Sequence, residues 1–350
     1  MLILHFVFIL IVVVLCKSDD KPSTAYYQPQ QIHLSFGASK SEIIVTWVTF
    51  NKTESIVKYG INRLNTSVNG SVTLFTDGGT EKRLLYIHRV ELIGLELGVK
   101  YQYHCGSREG WSSLYMLTTL KEGVDWSPKI AIYGDLGNVL AESLAPLQEE
   151  AQEGVYDMIM HLGDFAYDLH DDNARVGDEF FRQIETMAAY VPYQACPGNH
   201  DNFSNYDNRF SLKSEGSTLI NNHYWSYNIG PAHFISFSTE FYYYEKYKIE
   251  TGPEQLKYQY DWLENDLKEA NKPENREKRP WIVTMGHRPP YGLNSMDDKI
   301  RLGIKVNESR LYGLEDLFYR HGVDIQFWAH EHIYARLWPI YNNTVFNDTQ

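Results

Sequence analysis

The chain has 350 residues, of which 43% are hydrophobic and 22% are charged, with a formal net charge of -13 at pH 7. This composition is that of a globular protein and excludes a low-complexity or coiled-coil chain, and the length favours two domains over one. The negative charge argues against nucleic acid as a partner, because nucleic-acid binders carry basic faces. An anionic substrate would need bound cations as its local source of positive charge.

The first sixteen residues have the features of a signal peptide. An apolar run from Leu2 to Leu15 is interrupted only by His5 and gives way to Lys17. The run is short for a membrane span and has the length of a signal-peptide core. We therefore expect residues 1–16 to be cleaved, which predicts a secreted or lysosomal protein with no stable membrane anchor.

Seven Asn-x-Ser/Thr triplets support the secretory route and predict a glycoprotein. They begin at Asn51, Asn65, Asn69, Asn202, Asn307, Asn342 and Asn347. After signal removal the remaining cysteines are Cys105 and Cys196. A disulfide between them and two buried thiols are both open, since the two residues fall in different predicted domains.

A polar linker at residues 17–27 precedes a region of short strands at residues 28–121. Period-two alternation marks residues 32–36, 42–49, 55–60, 84–90, 100–105 and 114–118. Turn residues such as Asn69-Gly70 separate these runs. About seven short strands over this length predict an all-β sandwich of immunoglobulin or fibronectin III type. No catalytic constellation stands out there, so we expect a structural or docking module.

From residue 127 to residue 350, apolar strands alternate with helical segments, which predicts an α/β layered domain. The predicted strands are residues 129–133, 157–162, 191–195, 224–229, 233–238, 281–284 and 323–328. The predicted helices are residues 142–153, 179–189, 253–270 and 309–321.

Polar residues follow five of these predicted strands at the point where each strand ends. In chain order they are Asp135, Asp164 with Tyr167, Asn199 with His200, His287, and His330 with His332. Taken singly, an Asp after Gly is usually a turn or cap residue, but ligands of open α/β sheets bind at the carboxyl ends of strands, so the five groups are expected to converge. Carboxylate, phenolate, amide and imidazole ligands suit iron, manganese or zinc. Two such ions would clamp a phosphate and generate hydroxide near neutral pH.

This ordered set resembles the calcineurin-like metallophosphoesterase superfamily, and Tyr167 in the sequence Gly163-Asp164-Phe165-Ala166-Tyr167 is similar to the motif of the purple acid phosphatases. The predicted sandwich resembles the fibronectin-like N-terminal domain of the larger plant-type members and of the animal acid phosphatase type 7 group. The resemblance implies an αββα catalytic domain with a ferric ion and a divalent ion (iron, zinc or manganese). By this resemblance the ferric ligands are Asp135, Tyr167 and His332, the divalent ligands are Asn199, His287 and His330, and Asp164 bridges the ions.

The resemblance also implies catalytic residues. His200 would contact phosphate or protonate the leaving group, and Asp201 would orient His200. Arg288 would pair with a phosphate oxygen, with a surface arginine as the alternative. Two motifs depart from the family pattern, since Val283 precedes His287 by one residue more than usual and Ala329 replaces a glycine.

The resulting hypothesis is an acid phosphatase that hydrolyses small phosphate monoesters at acidic pH with a metal-bound hydroxide. One alternative keeps the two metals and acts as a phosphodiesterase or nucleotide pyrophosphatase, against which Tyr167 weighs. Another is a non-catalytic secreted glycoprotein, which would follow if the domain at residues 127–350 is C-terminally truncated, as its end soon after His332 leads us to expect. The oligomeric state is open, and a homodimer is one alternative.

Overall fold

The structure is a computed structural model that describes residues 23–247, 252–292 and 296–347. The predicted signal peptide lies outside these residues. Within them, no helix combines the length and apolarity needed to cross a membrane. The end of the predicted linker forms a short 3-10 helix, Thr24–Tyr27.

The N-terminal part is a sandwich of two antiparallel sheets. Its strands are β1 Gln30–Phe36, β2 Ile43–Thr49, β3 Ile56–Gly60, β4 Thr66–Asn69, β5 Ser71–Thr76, β6 Leu84–Leu92, β7 Lys100–Ser107, β8 Gly110–Trp111 and β9 Tyr115–Thr118. One sheet has the order β1-β2-β6-β5, and the other has the order β4-β3-β7 with β8 and β9 both paired to β7. The predicted all-β domain is confirmed. Strands β4, β5 and β8 were not among the predicted runs, because they are short or largely exposed and lack a clear apolar alternation.

Residues from both sheets form the centre of the sandwich. Trp47 and Val45 from one sheet and Tyr103 and Cys105 from the other are all fully buried. Cys105 and Cys196 are both free and buried, so of the two alternatives the structure has two thiols. Burial of such apolar side chains is the main favourable term in folding.

Every residue of strand β1 except Gln30 is buried, and this includes the polar side chains that alternate with the apolar ones. The reason is that it also faces the second domain. The Ser35 hydroxyl donates to the Ser211 carbonyl, and the His33 ring lies 3.1 Å from the Arg209 carbonyl. The two domains therefore share one continuous core.

The second domain contains two main sheets with helices packed on them. Its elements are β10 Ile130–Tyr133, α1 Leu144–Glu153, β11 Met158–Leu162, α2 Asp171–Ala188, β12 Tyr193–Cys196, α3 Phe203–Arg209, β13 Trp225–Ile229, β14 Ala232–Ser236, the 3-10 helix Glu240–Tyr243, α4 Tyr244–Tyr247, α5 Gly252–Ala270, α6 Pro273–Arg276, β15 Trp281–Met285, α7 Asp298–Leu302, β16 Gly303–Val306, β17 Ser309–Tyr312, α8 Leu314–Arg320, β18 Ile325–Phe327, β19 Ile340–Tyr341 and β20 Thr344–Val345. Strands β10-β11-β12 form one parallel sheet. Strands β13-β14-β15-β18 form the other, in which only β13 is antiparallel to its neighbour. The predicted α/β layered domain is confirmed.

Two of the predicted helices begin several residues away from their predicted start, whereas the other two agree to within two residues. The helix expected at residues 309–321 begins only at Leu314, because Ser309–Tyr312 pairs with Gly303–Val306 as a hairpin. The helix expected at residues 179–189 begins already at Asp171, with a run of left-handed residues in its first turn.

Candidate metal centre

Five strands end at the same place, and the loops after them carry the predicted ligands. In the first sheet, β10, β11 and β12 run parallel, so their following loops emerge side by side. In the second sheet, β15 and β18 are parallel neighbours, with Met285 opposite Phe327. His287 joins the two sheets, because its Nδ1 lies 2.7 Å from the carbonyl oxygen of Leu162 at the end of β11.

The first group of ligand side chains consists of Asp135, Tyr167 and His332. The Tyr167 hydroxyl lies 2.7 Å from Nε2 of His332 and 3.3 Å from Oδ1 of Asp135. Nε2 of His332 also lies 3.3 Å from Oδ1 of Asp135. Three potential donor atoms thus face one point, and the exposed His332 side chain opens this point to solvent.

The second group is deeper and consists of Asp164, Asn199, His287 and His330. Nε2 of His287 lies 3.3 Å from Oδ2 of Asp164 and 3.2 Å from Oδ1 of Asn199. Ligand atoms of Asp164, His287 and His330 all lie within 4.8 Å of one another. Because Nδ1 of His287 is directed at a backbone carbonyl, donation from that nitrogen leaves Nε2 as a lone pair directed at the group.

Four of the seven predicted ligand residues have a positive φ angle. The values are +57° for Asp135, +53° for Asp164, +49° for Tyr167 and +68° for His330. Residues with a Cβ rarely adopt this region, and such strain is concentrated at functional sites. The conformation turns each loop sharply after its strand.

Gly198 allows the second and third loops to approach each other closely. A Cβ at this position would lie 2.3 Å from Oδ1 of Asp164 and 2.5 Å from its backbone nitrogen. No side chain fits there.

The charges in the centre favour a cation. Burial opposes a charge on His287, but its hydrogen bond to Asp164 and the nearby negative charge raise its pKa to about 9. Burial raises the pKa of Asp135, with the charge of Asp164 acting in the same direction. In this structure the negative charge of the carboxylates favours a proton on His287. A metal ion bound in place of that proton would stabilise the same negative charge.

The donor set fits two metal ions. Carboxylate, phenolate, amide oxygen and imidazole suit transition metals such as iron, zinc and manganese. The first group supplies three donors and the second group four. The charge of Asp164, a member of the second group, also acts on the first group, since it raises the pKa of Tyr167 and of Asp135.

Asp201 does not take the position expected for it. Its buried carboxylate accepts backbone N–H groups of Asp164 (2.7 Å), Phe165 (3.0 Å) and Gly198 (2.7 Å). It fixes the loops rather than orienting His200. The residue beside His200 is Asp168, whose Oδ1 lies 3.3 Å from Nδ1 of His200. Asp168 carries no signal that would separate it from other acidic loop residues in the sequence.

Arg288 lies in the wall of a cleft of about 490 Å³ that also includes His330 and His332. Its Nε lies 3.0 Å from the buried Glu240, and its Nη1 lies 2.9 Å from Nε2 of His330. The side chain is only 10% exposed, which excludes the surface-arginine alternative. Its contact with substrate stays a prediction.

The predicted glycosylation sites differ in exposure. Asn65, Asn69, Asn307, Asn342 and Asn347 are exposed. Asn51 and Asn202 are half-buried, and the Asn202 side chain accepts the backbone N–H of Asn205 as the N-cap of α3.

With this geometry in view, the comparisons with known proteins define the class. The calcineurin-like phosphoesterase family matches residues 128–334, and the purple acid phosphatase N-terminal domain family matches residues 29–119. The purple acid phosphatase from seeds of yellow lupin (Lupinus luteus) has a similar fold, with a TM-score of 0.68 at 24% sequence identity. That match covers 92% of this chain and 62% of the lupin chain.

Sequence identity to individual proteins shows to which family the chain belongs. The chain is 50% identical to acid phosphatase type 7 of Danio rerio over 91% of this chain and 74% of that protein. It is 48% identical to acid phosphatase type 7 of Homo sapiens, over 94% of this chain and 74% of that protein. The chain therefore belongs to the purple acid phosphatase family. It is an acid phosphatase, and membership of this family implies a binuclear metal centre.

Proposed function

We propose that this chain hydrolyses phosphate monoesters at acidic pH with a centre of one ferric ion and one divalent ion, either iron, zinc or manganese. The observation that carries the proposal is the placement of the Tyr167 hydroxyl between Asp135 and His332, at 3.3 and 2.7 Å. A phenolate is a hard anionic ligand of the kind that a ferric ion prefers over softer donors. In this proposal Asp135, Tyr167 and His332 would hold the ferric ion, Asn199, His287 and His330 would hold the divalent ion, and Asp164 would be the ligand that the two ions share.

The two metal ions would contribute to the reaction in two ways. When bound, they supply the positive charge that holds a phosphate group in this acidic protein and lower the pKa of a bound water.

The protein groups around the centre supply orientation and protons. The partly exposed His200 packs against the Tyr167 ring, with centroids 5.0 Å apart, and is held on its Nδ1 side by Asp168. We propose that His200 donates the proton that the leaving oxygen of the ester requires. Arg288 borders the cleft beside the deeper ligands and adds a fixed positive charge there.

The experiment measures metals and activity on the same purified protein. We expect close to two ions per chain, one of them iron, a visible absorption band, and hydrolysis of 4-nitrophenyl phosphate that exceeds that of its bis-ester. A colourless protein that lacks iron would contradict the ferric assignment. Faster hydrolysis of the diester would favour a phosphodiesterase with the same ligands.

We further propose that the protein enters the secretory pathway and carries N-linked glycans. Expressed in a secreting eukaryotic host, it should appear in the medium and lose mass on enzymatic deglycosylation. We expect occupancy at the exposed Asn65 and Asn69 and none at Asn202, whose side chain caps α3. Site occupancy measured by mass spectrometry after deglycosylation in ¹⁸O water tests this pattern.

A further inference from the structure

The loop between β5 and β6, residues 77–83, reaches from the N-terminal sandwich to the segments that leave the metal centre. It contacts the start of α2, a few residues after Tyr167, and α3, a few residues after Asn199. We propose that this 77–83 loop is a positioning element of the metal centre, which makes the N-terminal domain part of the catalytic apparatus. The inference rests on the proposed function only in the identity of the ligands that are positioned.

The start of α2 has a conformation that needs external support. Asp172, Asn173 and Ala174 have φ values of +48°, +54° and +63°, three left-handed residues in succession. Each costs free energy in an L-residue, so such a run persists only where neighbouring groups hold it.

The 77–83 loop supplies that support. The Asn173 side-chain oxygen accepts the backbone N–H of Glu81 (3.0 Å) and the Thr80 hydroxyl (3.2 Å). The Arg83 guanidinium donates to the Asn173 carbonyl at 2.7 Å, and Arg175 pairs with Glu81. Both the side chain and the backbone of the central left-handed residue are thus bound to the other domain.

A buried polar network continues from the same loop to α3. Oδ1 of Asp77 accepts from Nδ2 of Asn205 at 3.2 Å, and Oδ1 of Asn205 accepts from Nε of Arg209. Arg209 and Arg83 then donate to the two oxygens of Asp178 at 2.9 and 2.6 Å. Buried charges are tolerated only when paired in this way, and removing one partner is costly. The network therefore ties α2 and α3 to one loop of the N-terminal domain.

The path from these contacts to the ligands is short on both sides. Toward Tyr167, the backbone N–H of Asp171 donates to the Asp168 carbonyl, and the intervening Leu169 is fully buried. Toward Asn199, the N-cap residue Asn202 fixes the start of α3. A shift of the 77–83 loop would therefore move a ligand of each metal group.

Two adjacent glycines in the loop provide a matched test. A Cβ on Gly79 would lie 2.5 Å from Oδ1 of Asn173 and 3.0 Å from its Cα, whereas a Cβ on Gly78 would meet no atom within 4 Å. The substitution Gly79→Ala should push the loop away from α2. The substitution Gly78→Ala makes the same chemical change without that contact.

A second control weakens the domain interface elsewhere. Glu185 accepts the backbone N–H groups of Gln31 and Ile32 near the other end of α2, about 15 Å along the helix from Arg175 at 1.5 Å per residue. Glu185→Gln should lower thermal stability without reaching the metal loops.

The full-length metal-loaded protein and its three variants are compared by hydrogen exchange, chelator-driven metal release and hydrolysis of 4-nitrophenyl phosphate. For Gly79→Ala we expect faster exchange in peptides covering residues 167–175 and 199–209, and about tenfold faster metal release and lower kcat, since small misplacements at a reacting centre are costly. Gly78→Ala and Glu185→Gln should match the wild type in the exchange of these two segments, in metal release and in kcat. If Gly79→Ala does not fold, Asn173→Gly replaces it, because glycine accepts the left-handed backbone while removing the side chain that the loop binds.

The outcomes separate this inference from the proposed function. Equal exchange and metal release in Gly79→Ala and Gly78→Ala would overturn the positioning role, and so would an equal effect in Glu185→Gln. A wild type without phosphatase activity would overturn the proposed function alone, because hydrogen exchange in the two segments needs no catalysis.

Discussion

The hydroxyl oxygen of Tyr167 lies 2.7 Å from Nε2 of His332, although 165 positions separate the two residues in the chain. Tyr167 leaves the first sheet after β11, and His332 leaves the second sheet after β18. The contact therefore forms only when both sheets are correctly packed against each other. A metal ion at this point would bind the folded protein and not the unfolded chain, so its binding would stabilise the fold.

The first prediction concerns the phenol. Tyr167→Phe keeps the ring that packs against His200 but removes the oxygen beside Asp135 and His332. We expect loss of the visible absorption band, loss of one metal ion, and at least about tenfold lower activity, since even outer-shell partners of a metal cost that much.

The matched control is Tyr334→Phe, because Tyr334 is 93% exposed. It should keep the colour, the metal content and the activity. A coloured Tyr167→Phe protein would show that the phenolate is not the source of the band.

The residues that could be predicted from the sequence are those whose position depends on local order. Asp135, Asp164 and Asn199 each follow a strand of one parallel sheet, and parallel strands place their carboxyl ends together. Strand recognition is therefore enough to predict that such residues meet.

What could not be predicted depends on contacts between distant segments. Asp168 and Asp201 are both acidic residues in loops near His200, and only the folded backbone shows which one faces it. The contact of Asn173 with Glu81 joins two domains through residues that have no periodic signal.

The second prediction separates these two carboxylates. In Asp201→Asn at least one of the three buried backbone N–H groups faces an amide NH2 group in place of an acceptor oxygen. We expect this to cost about 1–3 kcal/mol in the free energy of unfolding. Asp168→Asn changes a half-exposed group beside His200 and should lower kcat while leaving the unfolding free energy within about 0.5 kcal/mol of wild type. Urea denaturation and steady-state kinetics on both variants measure the contrast. The interpretation fails if Asp201→Asn unfolds like the wild type or if Asp168→Asn is fully active.

The third prediction concerns the approach of two loops at Gly198. Gly198→Ala places a methyl group 2.3 Å from Oδ1 of Asp164, and relief of such overpacking typically costs about 1–3 kcal/mol. Because we propose that Asp164, a member of the second ligand group, is shared with the first, we expect both metal sites to weaken, seen as metal loss during dialysis against a chelator. Normal metal retention would indicate that Asp164 is not shared between them.

The fourth prediction concerns acid stability and depends on His161, a fully buried residue of β11. Its Nδ1 lies 2.6 Å from the Tyr193 hydroxyl, and its Nε2 has no hydrogen-bond partner among the described residues. Burial lowers the pKa of His161 from 6.5 to about 3, so the folded protein keeps it neutral. Below pH 6.5 the unfolded chain takes up a proton that the folded protein does not, and stability falls with falling pH until about pH 3.

At pH 5 this difference is about 2 kcal/mol, from 1.36 kcal/mol per pKa unit. The variant His161→Met, which cannot titrate, should therefore lose about 2 kcal/mol less stability than the wild type between pH 7 and pH 5 in urea denaturation. Between pH 7 and pH 8 the two proteins should change in parallel, because His161 is neutral in both states there. Parallel behaviour down to pH 5 as well would show that His161 is protonated in the folded protein, in which case an acidic working pH would carry no cost at this residue.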